Sequence, residues 1–178
     1  MSILLNILIV VGIIISIILI LALIAPKAYT VTRSILIQQP AAVVYEYIKY
    51  LNNQENYSKW ATMDPNTINT YTGTAGTVGS SHQWESKQRN VGMGIQTITA
   101  LEPNAKVSTT IEFIKPFAGV AQASLSTQAK NDYTQVVWEL SSTMKYPSNA
   151  LLLVMNMNKM IGNDLEVGLA NLKNVLEN

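Results

Sequence analysis

The sequence predicts an α+β fold: a curved antiparallel sheet of about seven strands gripping one long C-terminal helix, all preceded by a single transmembrane helix. Three observations predict it. Residues 1–26 carry no charged side chain, and all 12 Lys and Arg and all 11 Asp and Glu lie from Lys27 onward. Residues 67–144 alternate apolar and polar positions between turn signals, the period of half-buried strands. Ile161, Leu165, Leu169, Leu172 and Leu176 then recur three and four apart, which places them on one face of a helix.

Residues 3–25 are almost unbroken Ile, Leu, Val and Ala. A bilayer core takes about 20 apolar residues as helix, and each central Leu, Ile or Val favours insertion by roughly 0.3–0.6 kcal/mol. Asn6 and Ser16 detract slightly, Gly12 is tolerated, Pro26 stops the helix and Lys27 marks the interface. A secretory signal peptide has a basic start and a shorter apolar core. Here residues 1–6 contain no Lys or Arg, so residues 1–26 are expected to be an uncleaved membrane anchor and 27–178 one domain. Lys27 and Arg33 follow the span and only the α-amino group precedes it, so the positive-inside rule leans, by a small margin, towards a cytoplasmic domain.

The domain is long enough for a real core. A formal charge of +1 and the lack of a basic run with interleaved aromatics argue against a nucleic-acid partner. There are no cysteines, which removes disulfides, thiolate nucleophiles and Cys-type zinc sites. No metal-ligand cluster, nucleotide loop or nucleophile elbow occurs, so no metal and no cofactor are expected. The glycines of residues 73–79 do not open a helix, so they make no phosphate cradle.

Within the domain, residues 29–37 form a first strand with Tyr29, Val31, Ile35 and Ile37 on one side. Arg33 interrupts that side and is expected to reach solvent along its stem. Pro40 opens a helix whose buried side carries Val44, Ile48 and Leu51. Residues 52–60 read as a second short helix or ordered loop. Strands follow at 67–73, 79–87, 92–101, 106–114, 120–128 and 133–144, joined by turns such as Asn90-Val91-Gly92 and Glu102-Pro103-Asn104. Short connections make this an antiparallel meander. The final helix is expected over residues 148–177, with Ser148 as N-cap and a break near Asn156 to Asn158. Gly168 sits inside its apolar stripe at a cost of about 1 kcal/mol against Ala. Close approach to the sheet or room for a ligand would each explain it.

The order of elements resembles the START-like, helix-grip superfamily, also labelled SRPBCC or polyketide cyclase/dehydratase-like, and in detail its small membrane-anchored bacterial members. The resemblance rests on Tyr29-Thr-Val-Thr-Arg33-Ser34-Ile35, Asp64-Pro65, Tyr71-Thr-Gly73, Gly76-Thr-Val-Gly79, Trp84-Glu85, Gly92-Met-Gly94, Glu102-Pro103-Asn104, Lys115-Pro116-Phe117, Thr134 to Trp138, and Met160-Ile-Gly162 with Gly168-Leu-Ala-Asn-Leu-Lys173. Three positions depart from the pattern. Tyr57-Ser-Lys-Trp60 stands where a Trp-x-Pro-Trp run is usual, His82 where an aromatic is usual, and Met93 where an acid is usual. The resemblance implies a hydrophobic cavity between sheet and long helix, holding a lipid, sterol, polyketide or hormone, with cyclisation or dehydration in some members.

On that reading the strands contribute His82, Trp84, Gln96, Ile98, Ile111, Phe113, Trp138 and Leu140 to the cavity, and the helix contributes Ile161, Leu165 and Gly168. His82 is the only histidine and the one weak candidate for a catalytic residue, since its unperturbed pKa lies near neutrality; a hydrogen-bonded lining residue is the plainer role. Trp84 and Trp138 serve equally as cavity wall or core. Gln96 orients a ligand's polar end if it faces inward, and meets solvent if a bulge turns it out. Met144, Met155, Met157 and Met160 are expected to fill core gaps. Glu85, Glu112 and Glu139 fall on outward parity, and Glu166 has no second acid at fixed spacing. The leading expectation is a membrane-tethered binding module for a hydrophobic or amphipathic small molecule, lipids included. The alternatives are a cyclase, dehydratase or hydrolase using His82 as acid or base, and a regulatory or structural domain with a filled core.

Overall fold

The computed structural model describes residues 2–178. Helix α1 (Ser2–Ile24) is followed by strand β1 (Ala28–Ile37), helix α2 (Ala41–Ile48), a 3-10 turn (Leu51–Asn56) and the short helix α3 (Lys59–Thr62). Strands β2 (Ile68–Thr72), β3 (Ser81–Glu85), β4 (Met93–Glu102), β5 (Lys106–Lys115), β6 (Gly119–Lys130) and β7 (Tyr133–Thr143) come next. A second 3-10 segment (Ser148–Leu153) leads into helix α4 (Met157–Glu177). Residues 3–24 of α1 are long and apolar enough to cross a membrane, a length and composition that a signal sequence shares.

The strands form one antiparallel sheet in the order β1-β7-β6-β5-β4-β3-β2. Strands β2 to β7 are a meander, as the short turns require, and β1 returns alongside β7 with Ala28 opposite Thr143 and Ile37 opposite Thr134. Because β1 and β2 occupy opposite edges, the segment between them must traverse the sheet's full width. It does so as α2, the 3-10 turn and α3, with α2 lying over β5, β6 and β7. Strand parity behaves as the alternation predicts: Ala121, Ala123, Leu125 and Thr127 are buried along β6, and Val136, Trp138 and Leu140 along β7.

Helix α4 packs chiefly on β1. Leu165, Leu169 and Leu172 are fully buried against Val31, Ile37, Val44, Ile48 and Val136. Each such side chain contributes about 1.5–3 kcal/mol by leaving water, so this seam is the core of the fold.

Three expectations need correction. The helix begins at Met157 rather than Ser148, because Asn156 caps it by accepting from the Lys159 N–H at 2.9 Å. Arg33 does not run out to solvent: it turns onto α4, pairing with Glu166 and Asn158. The methionines are not core fillers. Met144, Met155 and Met157 are half-buried and Met160 is exposed, because the chain around them lies at the end of the domain beside α1.

Candidate functional site

A cavity of about 220 Å3 lies between the sheet and the helical cover. Its floor comes from Tyr29 on β1, Trp84 on β3, Gln96 on β4, Ile111 and Phe113 on β5, Ala123 on β6, and Trp138 and Leu140 on β7. Its roof is Ile161 of α4 together with Gln54, Ser58 and Trp60 of the crossing segment.

Two glycines decide where the tryptophans lie. At Gly94 a Cβ would come within 2.4 Å of the Trp84 ring, so the missing side chain lets that indole lie across β4. Trp84 Nε1 donates to Val91 O at 3.3 Å, and its ring meets Phe113 edge-on at 6.1 Å. At Gly168 a Cβ would come within 2.6 Å of Trp138 Cζ3. The Trp138 ring is held edge-on by Tyr57 at 5.8 Å and by Trp60 at 6.1 Å. Gly168 therefore serves close approach of helix to sheet, and Trp138 is both core and cavity wall.

Gln96 faces inward and is buried. Its Nε2 donates to Thr109 Oγ1 at 3.1 Å, and Thr109 donates on to Ala123 O at 3.4 Å. Beyond Gln96 the interior closes, since Ile48 of α2 and Val107 leave only about 10 Å3 of space there. The cavity thus has one buried amide at its inner end, Gln54 and Ser58 in its roof, and largely apolar walls elsewhere. Tyr29 adds a phenol whose pKa burial pushes up, partly opposed by a hydrogen bond with Ser142, so its hydroxyl stays protonated at neutral pH. No Asp, Glu, His, Lys or Arg lines the cavity among the described residues.

Of the residues expected at the site, Trp84, Gln96, Ile111, Phe113, Trp138, Leu140 and Ile161 stand on its wall. Four stand elsewhere. Leu165 is consumed by the α4–sheet core and Gly168 is covered by Trp138. Ile98, one inward position beyond Gln96, is fully buried where the interior is closed. His82 turns to the sheet edge: Nε2 donates to Asn69 Oδ1 at 2.8 Å and the imidazole stacks on Tyr71 at 4.7 Å. Burial lowers its pKa, and the Glu55 carboxylate pulls the other way. Tyr71 donates to Glu55, and burial and that carboxylate both push the phenol's pKa up. The Trp84 ring stands 6.0 Å away, and the imidazole is not among the side chains that line the cavity.

Sequence reasoning missed Tyr29, Gln54, Ser58, Trp60 and Ala123. Tyr29 and Ala123 had inward parity, and Ala123's small size was a signal of room opposite bulky neighbours. Gln54, Ser58 and Trp60 carried no periodic signal, because their segment becomes a roof only by crossing the finished sheet.

Solved structures share this architecture. A solution structure of a protein from Thermobifida fusca is 19% identical, with a TM-score of 0.59, covering 81% of this chain and 90% of its own. The Aha1 dimer from Colwellia psychrerythraea is 18% identical, with a TM-score of 0.56 and coverage of 84% and 96%. A protein from Nitrosospira multiformis is 16% identical, with a TM-score of 0.57 and coverage of 83% and 96%. At such identities the likeness is one of fold. No curated protein matches the chain. Residues 28–177 match the model of one family across the whole sheet, crossing segment and long helix, and the chain belongs to that family, polyketide cyclase / dehydrase and lipid transport.

Proposed function

We propose that this protein is a membrane-tethered, non-catalytic binding module that holds a hydrophobic or amphipathic small molecule, lipids included, between the sheet and α4. The observation that carries this reading is the chemistry of the wall: mostly apolar and aromatic side chains around one buried amide, with no carboxylate, imidazole, ammonium or guanidinium among the described lining residues, and a Tyr29 phenol that stays protonated. Such a wall desolvates and orients an apolar ligand; general acid–base chemistry needs a group within hydrogen-bond reach of the reacting proton. The family description spans cyclase and lipid transport, and the wall favours carriage over turnover. A volume of about 220 Å3 suits a compact ring system or a single acyl segment. Helix α1 supports residues 1–26 as the anchor and 27–178 as the binding domain.

Native mass spectrometry of protein extracted in mild detergent tests the reading. A co-purifying apolar species is expected, and delipidated protein is expected to gain thermal stability when that species is returned. Protein that carries nothing and gains no stability from any membrane lipid overturns it.

A further inference from the structure

The end of α1 is built into the domain. Asn149, fully buried in the Ser148–Leu153 segment, donates from Nδ2 to Ala22 O at 2.7 Å and to Ala25 O at 3.3 Å. In a continuous helix Ala22 O would accept from the residue four positions on, which is Pro26 and has no N–H. Asn149 supplies the donor that proline lacks. Ala22 and Ala25 are themselves buried, small enough for the segment to pack closely. Strand β1 starts at Ala28, and the Met144 N–H donates to Lys27 O at 2.9 Å, so helix end, linker and sheet form one unit.

This unit holds an apolar ledge beside the helix exit. Leu151 is 48% exposed, Leu153 47% and Val154 81%. Leu153 and Val154 also border a groove of about 440 Å3 whose other side is Pro26, Ala28 and Tyr29. Lys27 and Lys159 adjoin its lining residues in sequence, Lys145 follows Met144, whose N–H donates to Lys27 O, and all three are exposed, none of them in an ion pair among the described residues. Scattered exposed leucines need no explanation. Exposed apolar side chains close together in a segment hydrogen-bonded to the end of a membrane-length helix, with exposed lysines nearby in the chain, are what an interfacial segment requires.

We infer that residues 148–154 are a membrane-seating ledge: Leu151, Leu153 and Val154 enter the acyl boundary of the leaflet from which α1 emerges, and Lys27, Lys145 and Lys159 meet its anionic headgroups. This rests on the reading of α1 as a retained anchor and adds the pose of the domain, which a flexible tether would leave free. Seating places the groove at headgroup level. Tyr29 lines both that groove and the ligand cavity, so it stands between the lipid and the interior.

The chain has no cysteine, so single cysteines are unambiguous probes. Ile14→Cys, Leu151→Cys, Val154→Cys and, on the outer face of β7, Glu139→Cys are each made in the full chain and spin-labelled. They are reconstituted in phosphatidylcholine vesicles with phosphatidylserine as minor lipid, and accessibility to oxygen and to a nickel chelate is read by electron paramagnetic resonance. Positions 14, 151 and 154 are expected to favour oxygen and position 139 nickel, and omitting phosphatidylserine is expected to reduce the oxygen preference at 154. Nickel accessibility at 151 and 154 equal to that at 139, with 14 still in lipid, overturns the ledge and leaves the tether. Nickel accessibility at 14 overturns the tether and the ledge with it. An unchanged signal at 154 without phosphatidylserine overturns the role of the lysines.

Discussion

The Arg33 guanidinium lies against Gly162, so closely that a Cβ there would come within 2.0 Å of Nη2. From that position Nε donates to Glu166 at 2.5 Å, Nη1 to Asn158 Oδ1 at 2.8 Å and Nη2 to Asn158 O at 2.9 Å. The absent methyl is what admits a strand arginine to the start of α4. Glu166 is more than half exposed, so water screens the ion pair and the hydrogen bonds matter more than the charge attraction.

Gly162→Ala is therefore expected to destabilise by about 1–2 kcal/mol, lost hydrogen bonds to a charged group outweighing a helix-propensity gain of about 1 kcal/mol. In an Arg33→Ala background the same change is expected to stabilise, since only the propensity remains. Thermal unfolding of the four proteins in mild detergent measures the coupling, at about 2–4 °C in Tm per kcal/mol for a chain of this size. Equal shifts in both backgrounds refute it.

Gly168→Ala and Gly94→Ala press methyl groups into Trp138 and Trp84 respectively. Overpacking of this kind costs about 1–3 kcal/mol. Both variants are expected to melt lower and to shift tryptophan emission. Gly94→Ala is also expected to lose co-purified ligand, because the displaced Trp84 has the cavity to move into. Gly12→Ala, where nothing lies within 4 Å of the added carbon, is the control without a clash and is expected not to melt lower.

Gln96→Leu removes the buried amide from the cavity while Thr109 keeps its bond to Ala123 O. Stability is expected to change by less than about 1 kcal/mol, because the change leaves no stranded donor. The population of bound species is expected to move towards fully apolar molecules, as read by native mass spectrometry. An unchanged ligand profile removes Gln96 from recognition.

His82 is expected to make the fold acid-sensitive. Its folded pKa is depressed by burial, so the neutral form is favoured in the native state and the unfolded chain takes up the proton first. This contribution is complete above the unfolded pKa of about 6.5 and is lost as pH falls below it. Tm is expected to decline from pH 7 to pH 5 more in the natural protein than in His82→Gln, whose side-chain amide can still donate to Asn69. Asp64, whose carboxyl is held below its usual range chiefly by a hydrogen bond from Ser86 and next by one from the Asn66 N–H, acts in a lower window and does not confound the comparison.

What could be read from the chain alone was whatever depends on neighbours in sequence. The apolar run of α1, the inward parity of β6 and β7, the stripe of Leu165, Leu169 and Leu172, and the break at Asn156 all express local periodicity or capping. The fold and most of the cavity floor follow from these, because parity on a strand commits a side chain to one face. The wall itself was decided by contacts between distant residues. Gly94 and Gly168 aim the tryptophans, the crossing segment brings Ser58 and Trp60 over the sheet, and Asn69 and Tyr71 turn His82 to the edge. Asn149 meets Ala22 across 127 positions, and Arg33 meets Glu166 across 133. Such pairs leave no periodic trace in the chain, since closing a long loop ties together residues whose local preferences are independent of one another.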